Sequence, residues 1–113
     1  SIHQIEDSEL LASLSGCDLL INSTPLGMDS QPALALDLHT LNPKAIVADI
    51  VYSPLVTPLL RDARIRGNPI LGGLGMLLHQ AVRGFELWFG VRPEVSRERY
   101  DLVAADVKKA SNL

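Results

Sequence analysis

The sequence predicts an α/β fold in which a doubly wound parallel sheet has helices on both faces. The main indication is the run at residues 45–51, which is almost continuously apolar and rich in β-branched side chains. Such runs are typical of strands buried on both faces of a parallel sheet. A shorter apolar run at residues 19–21 and a long helical periodicity after Gly73 supply the alternation of strands and helices that this class requires.

The first predicted elements are a weak strand at residues 2–5 and a short helix. Asp7 or Ser8 can cap this helix, which continues to Leu14. Gly16 stands where helices commonly end in a left-handed residue. With the strand at residues 19–21, these segments form a β-α-β unit.

The next segment, residues 29–43, has the irregular composition of a surface excursion. After the strand at residues 45–51, Thr57 can cap a helix whose first turn contains Pro58. The helix is expected to stop at Gly67. A short extended segment at residues 68–71 follows.

The longest predicted helix begins near Gly73 and ends at Gly90. Its apolar positions recur at steps of three and four residues, so they form one stripe that is expected to face a core. A last helix, capped by Ser96, runs to about Ala110 and is expected to pack back across the sheet. The stripe consists of Leu74, Leu77, Leu78, Ala81, Val82, Phe85, Trp88 and Phe89.

Composition restricts the class of protein. With 113 residues, 47% apolar and 20% charged, the chain has the size and balance of one soluble domain. Its charge of -3 is not clustered, which argues against nucleic acid, and no apolar run approaches the roughly 20 residues that cross a bilayer. Cys17 is the only cysteine and is interpreted as an inert core thiol; the three histidines are scattered. We therefore expect a cytoplasmic protein without a metal site.

Candidate ligand-binding residues lie where predicted strands end, the usual binding edge of open α/β sheets. Asn22, Ser23 and Thr24 follow one strand and can contact a phosphate or ribose, or can satisfy their own turn. Tyr52 ends another strand and can point into a cleft or be an ordinary edge residue. Asp49, in an apolar run, must find partners, and a structural acceptor is the favoured interpretation over a catalytic acid.

The third candidate segment opens the long helix. Gly73 and Gly75 bring a glycine-lined backbone to the helix start, and Gln80 lies off the apolar stripe, where its amide can bond a ligand hydroxyl or face solvent. The spacing is not the dinucleotide fingerprint, which would need a third glycine where Leu78 stands. These glycines therefore do not indicate a pyrophosphate loop.

Taken in order, three segments resemble the shikimate dehydrogenase family: residues 18–28, residues 49–60 and residues 73–90. The resemblance covers nearly the whole chain. It implies the carboxyl-terminal part of a Rossmann-like NAD(P)-binding domain with carboxyl-terminal helices, spanning residues 1–113. It also implies an enzyme that reversibly reduces 3-dehydroshikimate to shikimate with NADPH in aromatic amino acid biosynthesis.

By matching positions, the resemblance implies roles for individual residues. Tyr52 and Gln80 would face the substrate, the phenol near its carboxylate and the amide near its ring hydroxyls. Ile50 would lie beside the nicotinamide, and the Gly73 backbone would face the carboxamide. The complete set of cofactor-binding residues would be Asn22, Ser23, Thr24, Pro25, Ile50 and Gly73.

The chain also departs from the family pattern. The amino-terminal substrate domain with its catalytic Lys and Asp pair has no counterpart here, nor has the glycine-rich turn or the basic segment that selects NADP. We therefore expect no catalytic residue in this chain, no turnover by it alone, and an uncovered sheet edge that could support a homodimer. An NAD-dependent quinate or shikimate dehydrogenase and a non-catalytic regulatory module remain alternatives.

Overall fold

The computed structural model describes residues 9–111, so the strand predicted at residues 2–5 and the capping residues Asp7 and Ser8 lie outside it. In this part of the chain, three strands form a parallel sheet in the order β1-β2-β3. The predicted α/β class is confirmed. The elements are α1 (Leu10–Leu14), β1 (Leu19–Asn22), β2 (Ile46–Asp49), α2 (Pro58–Arg66), β3 (Ile70–Leu71), α3 (Gly73–Phe89) and α4 (Arg97–Ser111).

One face of the sheet carries the core. Val47 pairs with Leu20 on one neighbouring strand and with Ile70 on the other, and paired residues lie on the same face of a sheet. Val47 is fully buried. Helix α2 packs against β2 and β3 on this side. The buried cluster comprises Leu14, Leu38, Leu41, Ala45, Val47, Leu59, Leu60 and Ala63.

The opposite face is open in the described part of the chain. Leu19, Ile21, Ile46 and Leu71 are between 38% and 58% exposed. The sequence predicted burial on both faces, and here only one is packed, because none of the described helices covers these four side chains. Among residues 9–111, no helix is long and apolar enough to cross a bilayer.

Helix α2 has the predicted boundaries, because the signals at both ends are local. The Thr57 hydroxyl accepts a hydrogen bond from the Leu60 N–H at 3.3 Å, and Pro58 occupies the first turn. Gly67 ends the helix with φ 88°, a left-handed conformation that glycine adopts without strain. The prediction for Gly16 was wrong: α1 ends at Leu14, its cap Ser15 is in the right-handed region, and Gly16 has no positive φ.

The two long helices pack against each other. Helix α4 packs mainly against α3 rather than across the sheet, and Ser96 caps it by accepting from the Arg99 N–H at 3.3 Å. The stripe of α3 is buried at Leu74 and Val82, whereas Trp88 is 80% exposed. The expectation that the whole stripe faces a core was therefore wrong for its second half, because nothing in residues 9–111 packs over it.

The irregular segment after β1 is less superficial than its composition suggested. Leu38 and Leu41 are almost completely buried and belong to the core cluster. The segment lacks helices and strands but contributes apolar side chains at intervals. Residues 29–43 are irregular, as predicted, but the prediction that they lie on the surface was wrong for these two leucines.

Two substitutions at Thr57 should separate its hydroxyl from its bulk. The side chain is fully buried, and its hydroxyl both caps α2 and donates to Asp49 Oδ2 at 2.7 Å. We expect Thr57→Val to lower the free energy of unfolding by about 2 kcal/mol, and Thr57→Ser by about 1 kcal/mol, the loss of one methyl group. Thermal unfolding measures both. If burial of apolar surface alone governed this position, valine would be the milder change.

Candidate functional site

The carboxyl ends of the three strands lie at one edge of the sheet, because the strands are parallel. The turn at residues 23–26 follows β1, residues 50–52 follow β2, and Gly72 joins β3 to α3. The first two segments are linked directly, since the Ile50 N–H donates to the Asn22 carbonyl at 3.2 Å. All three candidate segments predicted from the sequence therefore meet at this edge.

The Asn22 side chain organises the turn after β1. Its Nδ2 donates to the Leu26 carbonyl at 2.9 Å and to Asp49 Oδ1 at 3.2 Å. Its Oδ1 accepts from both the N–H and the hydroxyl of Thr24, at 3.1 and 2.7 Å. Asn22 and Thr24 thus satisfy their own turn, one of the two interpretations left open by the sequence. Among residues 9–111, the Ser23 hydroxyl forms no hydrogen bond.

Asp49 is the centre of a buried polar cluster. It is 3% exposed and accepts from three donors: Asn22 Nδ2, the Val51 N–H at 3.0 Å and the Thr57 hydroxyl. The favoured interpretation as a structural acceptor is confirmed, since both of its oxygens are engaged. This cluster, the polar clamp, consists of Asn22, Asp49 and Thr57, and it joins the ends of β1 and β2 to the start of α2.

Gly73 brings the start of α3 against the end of β2. A Cβ built on this residue would overlap the Ile50 carbonyl and lie 2.7 Å from the Val51 oxygen, so any side chain would collide with backbone. The Gly73 N–H donates to the Val51 carbonyl at 3.3 Å. The helix cap, Gly72, provides no side-chain acceptor to the first turn. The close approach therefore requires glycine at position 73.

The candidate substrate-side residues are accessible. Tyr52 is 40% exposed and Ile50 is 36% exposed, both just beyond β2, and Gln80 is exposed on α3. Neither the Tyr52 phenol nor the Gln80 amide forms a hydrogen bond within the described residues. Their polar groups are thus accessible, which is compatible both with a ligand contact and with the alternative of an edge residue and a solvent-facing amide.

Two open clefts are present in the described part of the chain. One of about 450 Å³ runs between the irregular segment and the end of α2, near His39 and Arg66. The other, about 300 Å³, separates the starts of α3 and α4 and is bordered by His79 and Tyr100. The second cleft is also lined by Gly75, from the candidate segment that opens α3, whereas neither cleft is lined by a residue assigned to the cofactor or the substrate.

Sequence reasoning overlooked two contributions to this edge. Thr57 was interpreted only as a helix cap, and its bond to Asp49 joins residues eight positions apart. Asp29 and Ser53, which hydrogen-bond across two loops at 2.7 Å, were not considered. No local pattern marks either pair, since each depends on the packing of separate segments.

Two features bear on metal and thiol chemistry: the metal-ligating side chains and the Cys17 thiol of the described residues. Residues 9–111 contain no group of three or more metal-ligating side chains. Burial, together with the neighbouring Asp18 carboxylate, raises the pKa of the Cys17 thiol. A raised pKa lowers the fraction of reactive thiolate, consistent with the predicted inert thiol.

Comparison with known proteins gives consistent matches. Residues 73–97 match the family model described as the Shikimate 5'-dehydrogenase C-terminal domain. Over 96 residues, the chain is 62% identical to the NADP(+) shikimate dehydrogenase of Rhodopseudomonas palustris strain BisB5, covering 85% of this chain and 34% of that protein. The chain thus spans about a third of the length of the curated relatives it matches.

Solved structures share the fold. Quinate dehydrogenase from Corynebacterium glutamicum, in complex with NAD, superposes with a TM-score of 0.75 at 37% identity, covering 86% of this chain and 34% of that one. Shikimate 5-dehydrogenase from Thermus thermophilus, in complex with NADP(H) and shikimate, gives 0.66 at 28% identity, covering 90% and 36%. Sequence motifs, fold and relatives agree, and the chain matches the carboxyl-terminal portion of members of the shikimate dehydrogenase family.

Proposed function

We propose that the complete protein containing this chain is a shikimate dehydrogenase, which interconverts 3-dehydroshikimate and shikimate with NADP as the cofactor. This chain would form the nicotinamide side of the active site and one wall of the substrate pocket. The observation that carries the proposal is the contact of all three family-like segments at one edge of the sheet: Gly73 closely approaches Ile50 and Val51, and the Ile50 N–H bonds to the Asn22 carbonyl. Such an edge is where open α/β sheets bind ligands.

The groups exposed at this edge fit a nicotinamide nucleotide. Ile50 offers an apolar surface to a flat ring, and Gly73, which lies against the Ile50 carbonyl, adds no side chain beside it. The Ser23 hydroxyl and Pro25 are exposed on the turn next to Asn22, whose own polar atoms hold that turn in place. When bound, the cofactor supplies the ring that accepts or donates the hydride.

Tyr52 and Gln80 would bind and orient the substrate. The phenol can donate to a carboxylate, and the amide can both donate to and accept from ring hydroxyls. Orientation alone lowers the barrier when the reacting atoms are held in line, so these residues need not transfer a proton. We assign proton transfer to groups outside this chain, because the family resemblance places the catalytic Lys and Asp pair in an amino-terminal substrate domain that has no counterpart here.

The cellular setting follows the sequence expectations. We place the enzyme in the cytoplasm and propose that this chain, taken alone, can form a homodimer through the exposed edge of the sheet. The uncovered Leu19 and Ile21 on β1, which has β2 as its only described neighbour, support this part of the proposal.

Tyr52→Phe and Gln80→Ala in the complete protein test the proposed substrate contacts. Each removes groups that would bond shikimate, so we expect each to raise the KM for shikimate about tenfold and to leave the KM for NADP+ within about twofold. The measurement is NADPH formation at varied shikimate concentration.

Matched controls are available in the same chain. Tyr100→Phe removes the other phenolic hydroxyl, which borders the cleft between α3 and α4, and Gln31→Ala removes an exposed amide after β1. Both should behave like the unaltered protein. Unchanged shikimate kinetics in Tyr52→Phe and Gln80→Ala would contradict the assignment of these side chains to the substrate.

A second candidate function is an NAD-dependent quinate or shikimate dehydrogenase. It is supported by the high structural similarity to a quinate dehydrogenase in complex with NAD. Assays of the complete protein with shikimate or quinate, each with NADP+ or NAD+, separate the two. A kcat/KM for quinate with NAD+ above that for shikimate with NADP+ would favour the second candidate.

A further inference from the structure

The backbone immediately after Tyr52 is held by a residue from a distant loop. The Asp29 N–H donates to the Ser53 carbonyl at 2.9 Å, and the Ser53 hydroxyl donates to Asp29 Oδ2 at 2.7 Å. These two bonds connect the loop after β1 to the loop after β2. Because Ser53 directly follows Tyr52, the pair fixes the direction in which the chain leaves the tyrosine.

The end of α4 completes this contact. Ser53 and Ser111 have their hydroxyl oxygens 2.9 Å apart. The single Ser53 hydroxyl proton is already directed to Asp29, so the Ser111 hydroxyl is the donor in this pair. The hydrogen bond from the Ser53 hydroxyl is the main cause that holds the pKa of the Asp29 carboxyl below its usual value, so the carboxylate stays an acceptor at neutral pH.

The residue before Tyr52 is fixed as well. The Val51 N–H donates to Asp49 Oδ1 at 3.0 Å, and the Val51 carbonyl accepts from the Gly73 N–H. Tyr52 therefore lies between two anchored neighbours, while its own side chain is 40% exposed and forms no hydrogen bond among the described residues. Its orientation depends on the backbone that carries it.

We propose that Asp29 is a positioning residue for Tyr52, acting through Ser53, and that it thereby contributes to recognition of a substrate carboxylate. The proposal rests on the proposed function, in which the Tyr52 phenol contacts the substrate. Asp29 is exposed and belongs to no buried cluster among the described residues. Its replacement should therefore affect the orientation of Tyr52 without destabilising the hydrophobic core. Asp29 differs in this respect from the buried Asp49 on the other side of Tyr52.

The kinetic test is Asp29→Ala in the complete protein. We expect the KM for shikimate to rise about fivefold, the effect of one lost hydrogen bond, with kcat and the KM for NADP+ within about twofold. Asp29→Asn, whose amide oxygen can still accept from Ser53, should restore the KM. The control is Asp37→Ala, another exposed aspartate bonded within its own loop, to His39, which should change neither parameter.

A double-mutant cycle distinguishes positioning from independent binding. If Asp29 acts through Tyr52, Asp29→Ala should have little further effect in a Tyr52→Phe background. Equal effects in both backgrounds, or an unchanged KM in the single variant, would overturn the proposal even if both variants are less stable.

A readout without turnover keeps the two proposals separate. With 13C-labelled tyrosine, Asp29→Ala should shift the Tyr52 ring signal, identified by its loss in Tyr52→Phe, and leave the Tyr100 signal in place. An unaltered protein that fails to oxidise shikimate would overturn the proposed function, whereas an unmoved Tyr52 signal would overturn the positioning role of Asp29.

Discussion

Gly73→Ala is expected to lower the free energy of unfolding by about 3 kcal/mol, at the upper end of what overpacking usually costs. The added methyl group would overlap the Ile50 carbonyl and come within 2.7 Å of the Val51 oxygen, and both obstacles are backbone rather than flexible side chains. Helix propensity acts in the opposite direction, since alanine is favoured over glycine by about 1 kcal/mol inside a helix. A large destabilisation would therefore identify the close approach as its cause.

Gly75→Ala is the matched control, two residues further along α3. A Cβ at position 75 would meet no atom within 4 Å, and the residue has ordinary helical geometry. Thermal unfolding of the two variants should give opposite signs, with Gly75→Ala neutral or slightly stabilising. Similar stabilities for the two variants would contradict the steric explanation. We also expect Gly73→Ala to abolish shikimate oxidation, because the residues around the nicotinamide would be displaced.

The features that the sequence predicted correctly depend on neighbouring residues. Helix α2 begins at Pro58 after its Thr57 cap and ends before Gly67, and all three signals lie within one segment. Helix α3 likewise ends at the left-handed Gly90. The convergence of the candidate segments could also be predicted, because parallel strands place their carboxyl ends at a common edge.

The features that could not be predicted depend on what packs against each surface. The periodicity of α3 specifies an apolar stripe but not its cover, so Leu74 is buried while Trp88 is exposed. The sequence placed Gly73 at the start of a helix, and only the approach of β2 shows why a side chain cannot be accommodated there. The contact between Asp29 and Ser53 spans 24 positions and leaves no pattern in either loop.

The polar clamp combines both situations. The sequence required partners for a carboxylate in an apolar strand, and Asp49 was therefore expected to be hydrogen-bonded. The partners themselves come from β1 and from the start of α2, at separations of 27 and 8 residues. The expected burial of Asp49 was enough to predict that its carboxylate accepts hydrogen bonds. Which residues donate them depends on how the strands and α2 pack together.

Asp49→Ala is expected to lower the free energy of unfolding by about 3 to 5 kcal/mol. The change removes the acceptor of three donors, the Asn22 amide, the Val51 N–H and the Thr57 hydroxyl, in a position where water has little access. Each unsatisfied buried donor costs about 1 to 3 kcal/mol. Thermal unfolding measures the loss, and Asp62→Ala on the exposed side of α2 is the control, expected within about 0.5 kcal/mol of the unaltered protein.

Asp49→Asn shows which property of the carboxylate matters. An asparagine oxygen can replace Oδ1 and keep the bonds to Asn22 and Val51, but its amide nitrogen would face the Thr57 hydroxyl, whose proton would then lack this acceptor. We expect a loss of about 1 kcal/mol, well below that of alanine. If asparagine were as destabilising as alanine, the clamp would depend on the negative charge itself, since hydrogen-bond geometry alone predicts that two of the three bonds survive.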